Sequence, residues 1–181
     1  MSIFEIDVTK IKPDHLSQIY FGMGCFWGAE RRFWHLDGLY NTVVGYAGGH
    51  ANDPNYEKVC TGTTGHAEVV KVIYDKKKNN LSDLLKIFWE SHNPTQLNRQ
   101  GNDIGTQYRS IILTEEKYLI NELEESKEKF QKILTEKSLG TIHTEIKIIK
   151  KFYVAEDYHQ KYLHKNPNGY CGLKGLEVIY S

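Results

Sequence analysis

The chain has 181 residues, 40% hydrophobic and 25% charged, enough to bury an ordinary core as one globular domain. Lysine plus arginine and aspartate plus glutamate number 23 each, so no basic excess draws in nucleic acid or anionic lipid. The three cysteines cannot build a disulfide framework, no window reaches the length of a membrane span, and MSIFEIDVTKIKPDHL lacks a long apolar run and a small-residue cleavage site. A cytoplasmic protein is expected, with at least one free thiol and any disulfide transient and catalytic.

Residues 1–17, polar and containing Pro13, read as an N-terminal arm ahead of a single domain over 18–181. QIYFGMG (18–24) reads as a short buried strand running into glycine. Ala29, Phe33 and Leu36 recur near the 3.6 period, which predicts a helix over 28–36. LYNTVVGY (39–46) is β-branched and aromatic, a second strand. The Gly/Asn/Pro-rich stretch 47–65 predicts a long loop, of the kind that is often functional. HAEVVKVIYD (66–75) is a third strand, stopped by the Lys/Asn run 76–80, and Ser82 is the expected cap of a helix presenting Leu84, Leu85, Phe88 and Trp89.

A second polar loop leads to strand YRSIILT (108–114). Thr114 with Glu115 and Glu116 opens the longest predicted helix, striped by Leu119, Leu123, Phe130, Ile133 and Leu134. Strand EIKIIK (145–150), a short helix-like AEDYHQKYLHK and a glycine-rich tail over about 166–181 complete the chain. The order β-α-β-β-α-β over 18–114 is that of a ferredoxin-like unit. The expected architecture is therefore α+β, a two-layer sandwich with additional helices.

Four stretches could carry chemistry. Cys25, between Gly24 and Phe26, sits where a strand hands over to a helix, where free N–H groups should lower its pKa. Position alone leaves a reactive Cys25 and a buried structural thiol equally open. Phe26 and Trp27 could be core, or an apolar wall for a small substrate group such as a methyl. On the third strand, period-2 alternation puts Glu68 and His66 on one face, opposite Ala67 and Val69. Burial there would raise the Glu68 pKa and suit it to donate a proton near neutrality, whereas an edge position would leave it in water. His66 reads more as a structural hydrogen-bonder than a catalyst, and Cys60 as a packed thiol. QGNDIGTQYRS gathers amides, Asp103 and the Tyr108 hydroxyl in one loop, and Tyr56 in DPNYEKV is ambiguous alone. Cys171 lies in the Gly-flanked tail, well placed to travel to another thiol. No nucleotide-binding glycine motif, CxxC or HExxH metal signature is present.

Together, GCFWGAE, VVGYAGG, PNYEKVCTGTTGHAE, NDIGTQYRS, AEDYHQKYL and NPNGYCG closely resemble the peptide methionine sulfoxide reductase A family, in order through nearly the whole chain after about residue 17. The resemblance implies a ferredoxin-like fold and reduction of the S epimer of methionine sulfoxide, free or in proteins, as repair of oxidative damage. It implies Cys25 as nucleophile and Glu68 as the acid that protonates the sulfoxide oxygen. Tyr56 and Tyr108 would bind that oxygen, and Asp103 would help hold a water. Phe26 and Trp27, beside Gly24 and His66, would form the substrate pocket, and Cys171 would be the recycling cysteine. It implies no cofactor and no metal, a monomer, and regeneration by thioredoxin or a dithiol. Some relatives carry a further recycling cysteine beyond GYCG. GLKGLEVIYS contains none, which points to a two-cysteine cycle through a Cys25 sulfenic acid and a Cys25–Cys171 disulfide. The rivals are a cysteine hydrolase or acyltransferase using Cys25, His66 and Glu68, and a non-catalytic module that binds oxidised methionine.

Overall fold

The computed structural model describes Phe4 and residues 13–181, so the expected arm over 1–17 lies mostly outside the described residues. The elements in chain order are β1 (Leu16–Gly22), α1 (Phe26–Phe33), β2 (Leu39–Ala47), α2 (Tyr56–Cys60), β3 (Ala67–Asp75) and α3 (Leu81–Ser91). There follow β4 (Arg99–Gln100), β5 (Asp103–Ile104), β6 (Ile111–Thr114), α4 (Leu119–Glu136), β7 (Glu145–Ile148), β8 (Phe152–Val154) and α5 (Tyr162–Lys165).

The fold is α+β. Six strands form one sheet in the order β7-β6-β1-β3-β2-β8, and β4 and β5 pair separately as a small hairpin. The three pairings joining β6, β1, β3 and β2 are antiparallel, while β7 returns through α4 to lie parallel to β6. Alternation on the central strands separates two apolar clusters. Ile19, Phe21, Val44, Tyr46, Val70, Val72 and Ile112 pack with Phe33 of α1, Phe88 of α3 and Phe130 of α4. Tyr20, Ala47, Ala67, Val69, Ile111 and Leu113 form a smaller cluster closed by Phe152. Glu68, paired across from Tyr46, shares the register of Val70 and Val72 and so faces the helices.

Several local expectations are revised. The cap of α3 is Asn80, not Ser82. The Asn80 side chain accepts from the Asp83 amide at 3.1 Å, and the Asp83 carboxylate accepts from the Asn80 amide at 3.2 Å. Thr114 does not open α4. Its hydroxyl accepts from the Glu116 amide at 3.1 Å, closing a turn, and the helix starts at Leu119. The long loop after β2 contains α2, capped by Asn55. Strand 108–114 is shortened to Ile111–Thr114, because residues 106–108 wind into a 3-10 turn behind Gly105 at φ 146°. The short edge strand β8 was not expected from the sequence, and it covers the outer side of β2. Among the described residues no helix is long and apolar enough to cross a membrane.

Candidate active site

β1 ends at Gly22, and the chain turns into α1 within three residues. Gly24 makes that turn at φ 99°, where a Cβ would lie 2.7 Å from Cγ of Gln100, so a side chain is excluded on two counts. Cys25 thereby becomes the N-cap of α1, with its side chain unused in capping. The next amide, that of Phe26, donates to Oε2 of Glu68 at 2.9 Å. One hydrogen bond thus ties the start of α1 to the third strand and brings Cys25 and Glu68 to the same place.

The two groups differ from their free values in ways that matter. Burial pushes Glu68 from 4.5 up to about 8, against the pull of the Phe26 amide and with help from the Asp103 charge. It is therefore largely protonated at neutral pH, as a carboxyl on a buried face should be. Cys25 corrects the expectation drawn from its helix end. The Trp27 and Gly28 amides do pull its pKa down, but burial, followed by the Glu68 charge, pushes it up to about 12. Cys25 rests as a thiol because desolvation outweighs two N–H groups.

Cys25, Phe26, Trp27, Tyr56, Glu68, Asp103, Tyr108 and Tyr170 line one cavity of about 190 Å³. Size does not single it out: three larger hollows, of about 430, 400 and 370 Å³, contain no cysteine. Tyr56 and Tyr108 are held protonated, burial being the first cause for both, and the Tyr56 hydroxyl is directed at Cys60. An oxygen entering here meets an acid and two hydroxyls, and a small apolar group meets Phe26 and Trp27.

Cys171 lies next door. It lines a crevice too small for water, together with Cys25, Gly28, Gln100, Asp103, Gly172 and Leu173. A Cβ on Gly28 would sit 3.0 Å from the Cys171 sulfur, so the glycine after Trp27 makes room for the second thiol. The tail is fastened by Arg32 donating to the Leu173 carbonyl at 2.8 Å and by the Tyr170 hydroxyl donating to Oδ1 of Asp103 at 3.3 Å.

Gly24 shapes the turn without lining the cavity. His66 stands apart. It precedes β3, so alternation does not govern it. Its Nδ1 accepts from the Gly49 amide at 3.0 Å, its Nε2 lies 2.7 Å from the Ala51 carbonyl, and it lines a different hollow. The Cys25–His66–Glu68 set of a cysteine hydrolase is not assembled. Cys60 is exposed rather than packed. Tyr170, beside Cys171, and His159, packed against Phe26 and Tyr56, escaped the sequence reading. The only signal for Tyr170 was its place next to a tail cysteine. Among the described residues no three His, Cys, Asp or Glu side chains are grouped to hold a metal ion.

The chain is similar to known proteins. The family model described as peptide methionine sulfoxide reductase matches residues 17–178. A peptide methionine sulfoxide reductase MsrA of Brucella anthropi is 57% identical over 166 residues, covering 92% of this chain and 76% of the relative. The solved methionine sulfoxide reductase A of Corynebacterium diphtheriae superposes with a TM-score of 0.85 at 43% identity, over 88% of this chain and 79% of the other. Reduced Mxr1 from Saccharomyces cerevisiae gives 0.81 at 38% identity, over 92% and 94%. With a thiol, a proton-bearing carboxyl and a second thiol gathered at one end of the sheet, the chain belongs to the peptide methionine sulfoxide reductase family, oxidoreductases that return methionine sulfoxide to methionine.

Proposed function

We propose that reduction proceeds by attack of the Cys25 sulfur on the sulfoxide sulfur while Glu68 protonates the oxygen. The observation that supports this is a buried carboxyl, still protonated at pH 7, held by the amide next to the nucleophile. Cys25 rests as a thiol, so its activation comes with the substrate: as Glu68 and the tyrosine hydroxyls draw charge onto the oxygen, the sulfoxide sulfur becomes electrophilic. The attack makes an S–S bond between Cys25 and the substrate. The substrate S–O bond then breaks as its protonated oxygen passes to the Cys25 sulfur and the S–S bond breaks. Methionine thereby leaves with its sulfur reduced by two electrons, and Cys25 is oxidised by two to a sulfenic acid. The thiol proton restores Glu68. Cys171 then attacks the sulfenic sulfur, water leaves, and a Cys25–Cys171 disulfide forms. Asp103, between the two cavities, holds the water.

Thioredoxin or a dithiol reopens the disulfide. Mxr1 has been captured in complex with Trx2, a precedent for that partner. We assign the S epimer, free or in proteins, with the enzyme acting as a cytoplasmic monomer in repair. Separate places for oxygen, methyl and attacking sulfur fit a site that distinguishes configurations at a stereogenic sulfur. The strand order β6-β1-β3-β2 supports a ferredoxin-like core with a glycine-rich tail.

Intact-mass and peptide mapping after exposure to each epimer without reductant tests the scheme. The wild type should lose two thiols to a Cys25–Cys171 bond with the S epimer alone. Cys171→Ser should reduce one equivalent and then stop in the presence of thioredoxin. Sustained turnover by that variant would refute the recycling role.

A further inference from the structure

Strands β7 and β8 stand at opposite edges of the six-stranded sheet, yet only residues 149–151 join them. Laid flat, five strand spacings would hold the edges about 24 Å apart. The chain from Ile148 to Phe152 reaches at most about 14 Å. The sheet is therefore curled, and the link crosses the face opposite the helices, where Ile149 and Phe152 pack on the smaller apolar cluster.

Between this link and the loop after β2 lies a cavity of about 370 Å³. Leu113 and Ile148 give it apolar surface, and Tyr153 stands edge-on to His66 with ring centres 5.4 Å apart. The Tyr153 hydroxyl donates to Oδ1 of Asn52 at 3.3 Å, which joins the two walls. Lys147, Lys150 and Lys151 also line it, all exposed, and among the described residues no aspartate or glutamate does. Glu145 answers for Lys147, but it also accepts from Arg109 at 3.0 Å, so one carboxylate is shared by two cations. The Lys151 ammonium lies over the Tyr153 ring at 4.4 Å, and among the described residues no carboxylate pairs with it or with Lys150. In a chain whose charges balance at 23 of each sign, this is a local positive excess above an apolar floor.

The cavity backs onto the active site. His66 in its wall precedes Glu68 by two residues, a rise of about 7 Å along a strand. Arg109 donates to the carbonyls of Gly65 at 2.9 Å and Gly48 at 3.4 Å, and its neighbour Tyr108 lines the catalytic cavity. An extended peptide of about six residues spans roughly 20 Å, enough to pass from one hollow to the other around the end of the sheet.

We propose that this cavity docks an acidic segment of the oxidised protein, a few residues along the chain from its methionine sulfoxide. Carboxylates of the segment meet Lys150 and Lys151, and an apolar side chain between them meets Leu113 and Ile148. The inference rests on the reading that the enzyme acts on methionine sulfoxide in proteins, and it names the proteins preferred.

The test measures steady-state reduction of free methionine sulfoxide and of synthetic peptides carrying one methionine sulfoxide, with dithiothreitol as reductant. Each peptide bears a glutamate cluster about two, six or ten residues from the sulfoxide, beside a glutamine-substituted control. With the middle spacing KM should fall about fivefold below that of the control, the effect of two exposed ion pairs. The gap should shrink as salt is raised. The double variant Lys150→Gln/Lys151→Gln should abolish it, while kcat for the peptides and both constants for free methionine sulfoxide stay within about twofold. A gap that survives in the double variant, or that is the same at all three spacings, overturns the proposal. So does a defect of the double variant seen only when thioredoxin replaces dithiothreitol, which would assign the cavity to the reductant. Peptides reduced without a glutamate preference sink this inference alone, whereas free methionine sulfoxide reduced and no peptide reduced sinks the protein-substrate reading beneath it.

Discussion

Two carboxyls are buried at helix α1, Glu30 within the helix at 0% exposure and Glu68 against its first amide at 2%. Their surroundings differ completely. Glu30 accepts from the Lys161 ammonium at 3.0 Å, the Lys161 amide at 3.0 Å and the Thr42 hydroxyl at 2.8 Å. The same ammonium reaches Asn41, the Thr42 hydroxyl and the Thr42 carbonyl, a shell of oxygens that calls for a charged donor. Burial pushes Glu30 up, but the Lys161 cation opposes it. Glu68 has one backbone N–H and no cation among its partners. A buried carboxyl given a cation is a tie between elements; one denied a cation keeps its proton and can deliver it.

Removing the proton at one site and the tie at the other should separate these roles. Glu68→Gln keeps an acceptor for the Phe26 amide but has no proton to give. The first reduction of Cys25's substrate, followed in a single turnover, should slow by about 10²–10⁴. The proposed scheme makes the Cys25 thiol and the Glu68 acid the reactive pair, and under it the wild-type rate should be flat below about pH 8 and fall tenfold per unit above it. A rate that climbs between pH 7 and 9 would instead identify a minor thiolate as the attacking form. Stability should move the other way. The folded carboxyl titrates near 8 and its unfolded value is 4.5, so its contribution is fully present below 4.5 and is lost as pH rises to about 8. The Gln variant should therefore gain in Tm over the wild type as pH rises across that window.

Glu30→Ala should show the inverse pattern. It leaves the Lys161 ammonium buried without its carboxylate, a loss of about 3–5 kcal/mol by the measure of other buried pairs. Denaturant unfolding reads this directly. The single-turnover rate of the folded fraction should stay close to wild type, with its pH break still near 8. A reductase step that collapses in Glu30→Ala while the fold survives would erase the distinction between tie and acid.

That distinction was half legible in the sequence. The alternation of AEVVKV put Glu68 on the face opposite Ala67 and Val69, because a strand's period is local, but it left open whether that face is buried, with a raised pKa, or in water. His66 escaped the same rule, since pairing begins at Ala67 opposite Ala47 and the residue before it is free to turn toward the Gly49–Ala51 loop. The helix start at Cys25 was also local and visible. What it did to the thiol was not, because burial depth depends on packing from distant segments. The tie between Glu30 and Lys161 spans 131 residues and leaves no periodic trace. Neither does the placement of Tyr170 over the cavity, which the tail brings about only by folding back.

Tyr170 supplies the smallest extension of the comparison, since it touches the site from an exposed position rather than a buried one. The residue is 48% exposed, and its hydroxyl donates one long bond, 3.3 Å to Asp103. A Cβ on Gly172 would lie 2.4 Å from that hydroxyl, so the tail bends tightly around it, with Cys171 between the two. An exposed bond of this length is worth about 0.5–1 kcal/mol, or two- to fivefold. Tyr170→Phe should slow closure of the Cys25–Cys171 disulfide by that factor, as measured by quenched-flow alkylation, while the first reduction step keeps its rate. A loss confined to the first step would move Tyr170 to the Glu68 side of the comparison, as a substrate contact rather than a fastening for the second thiol.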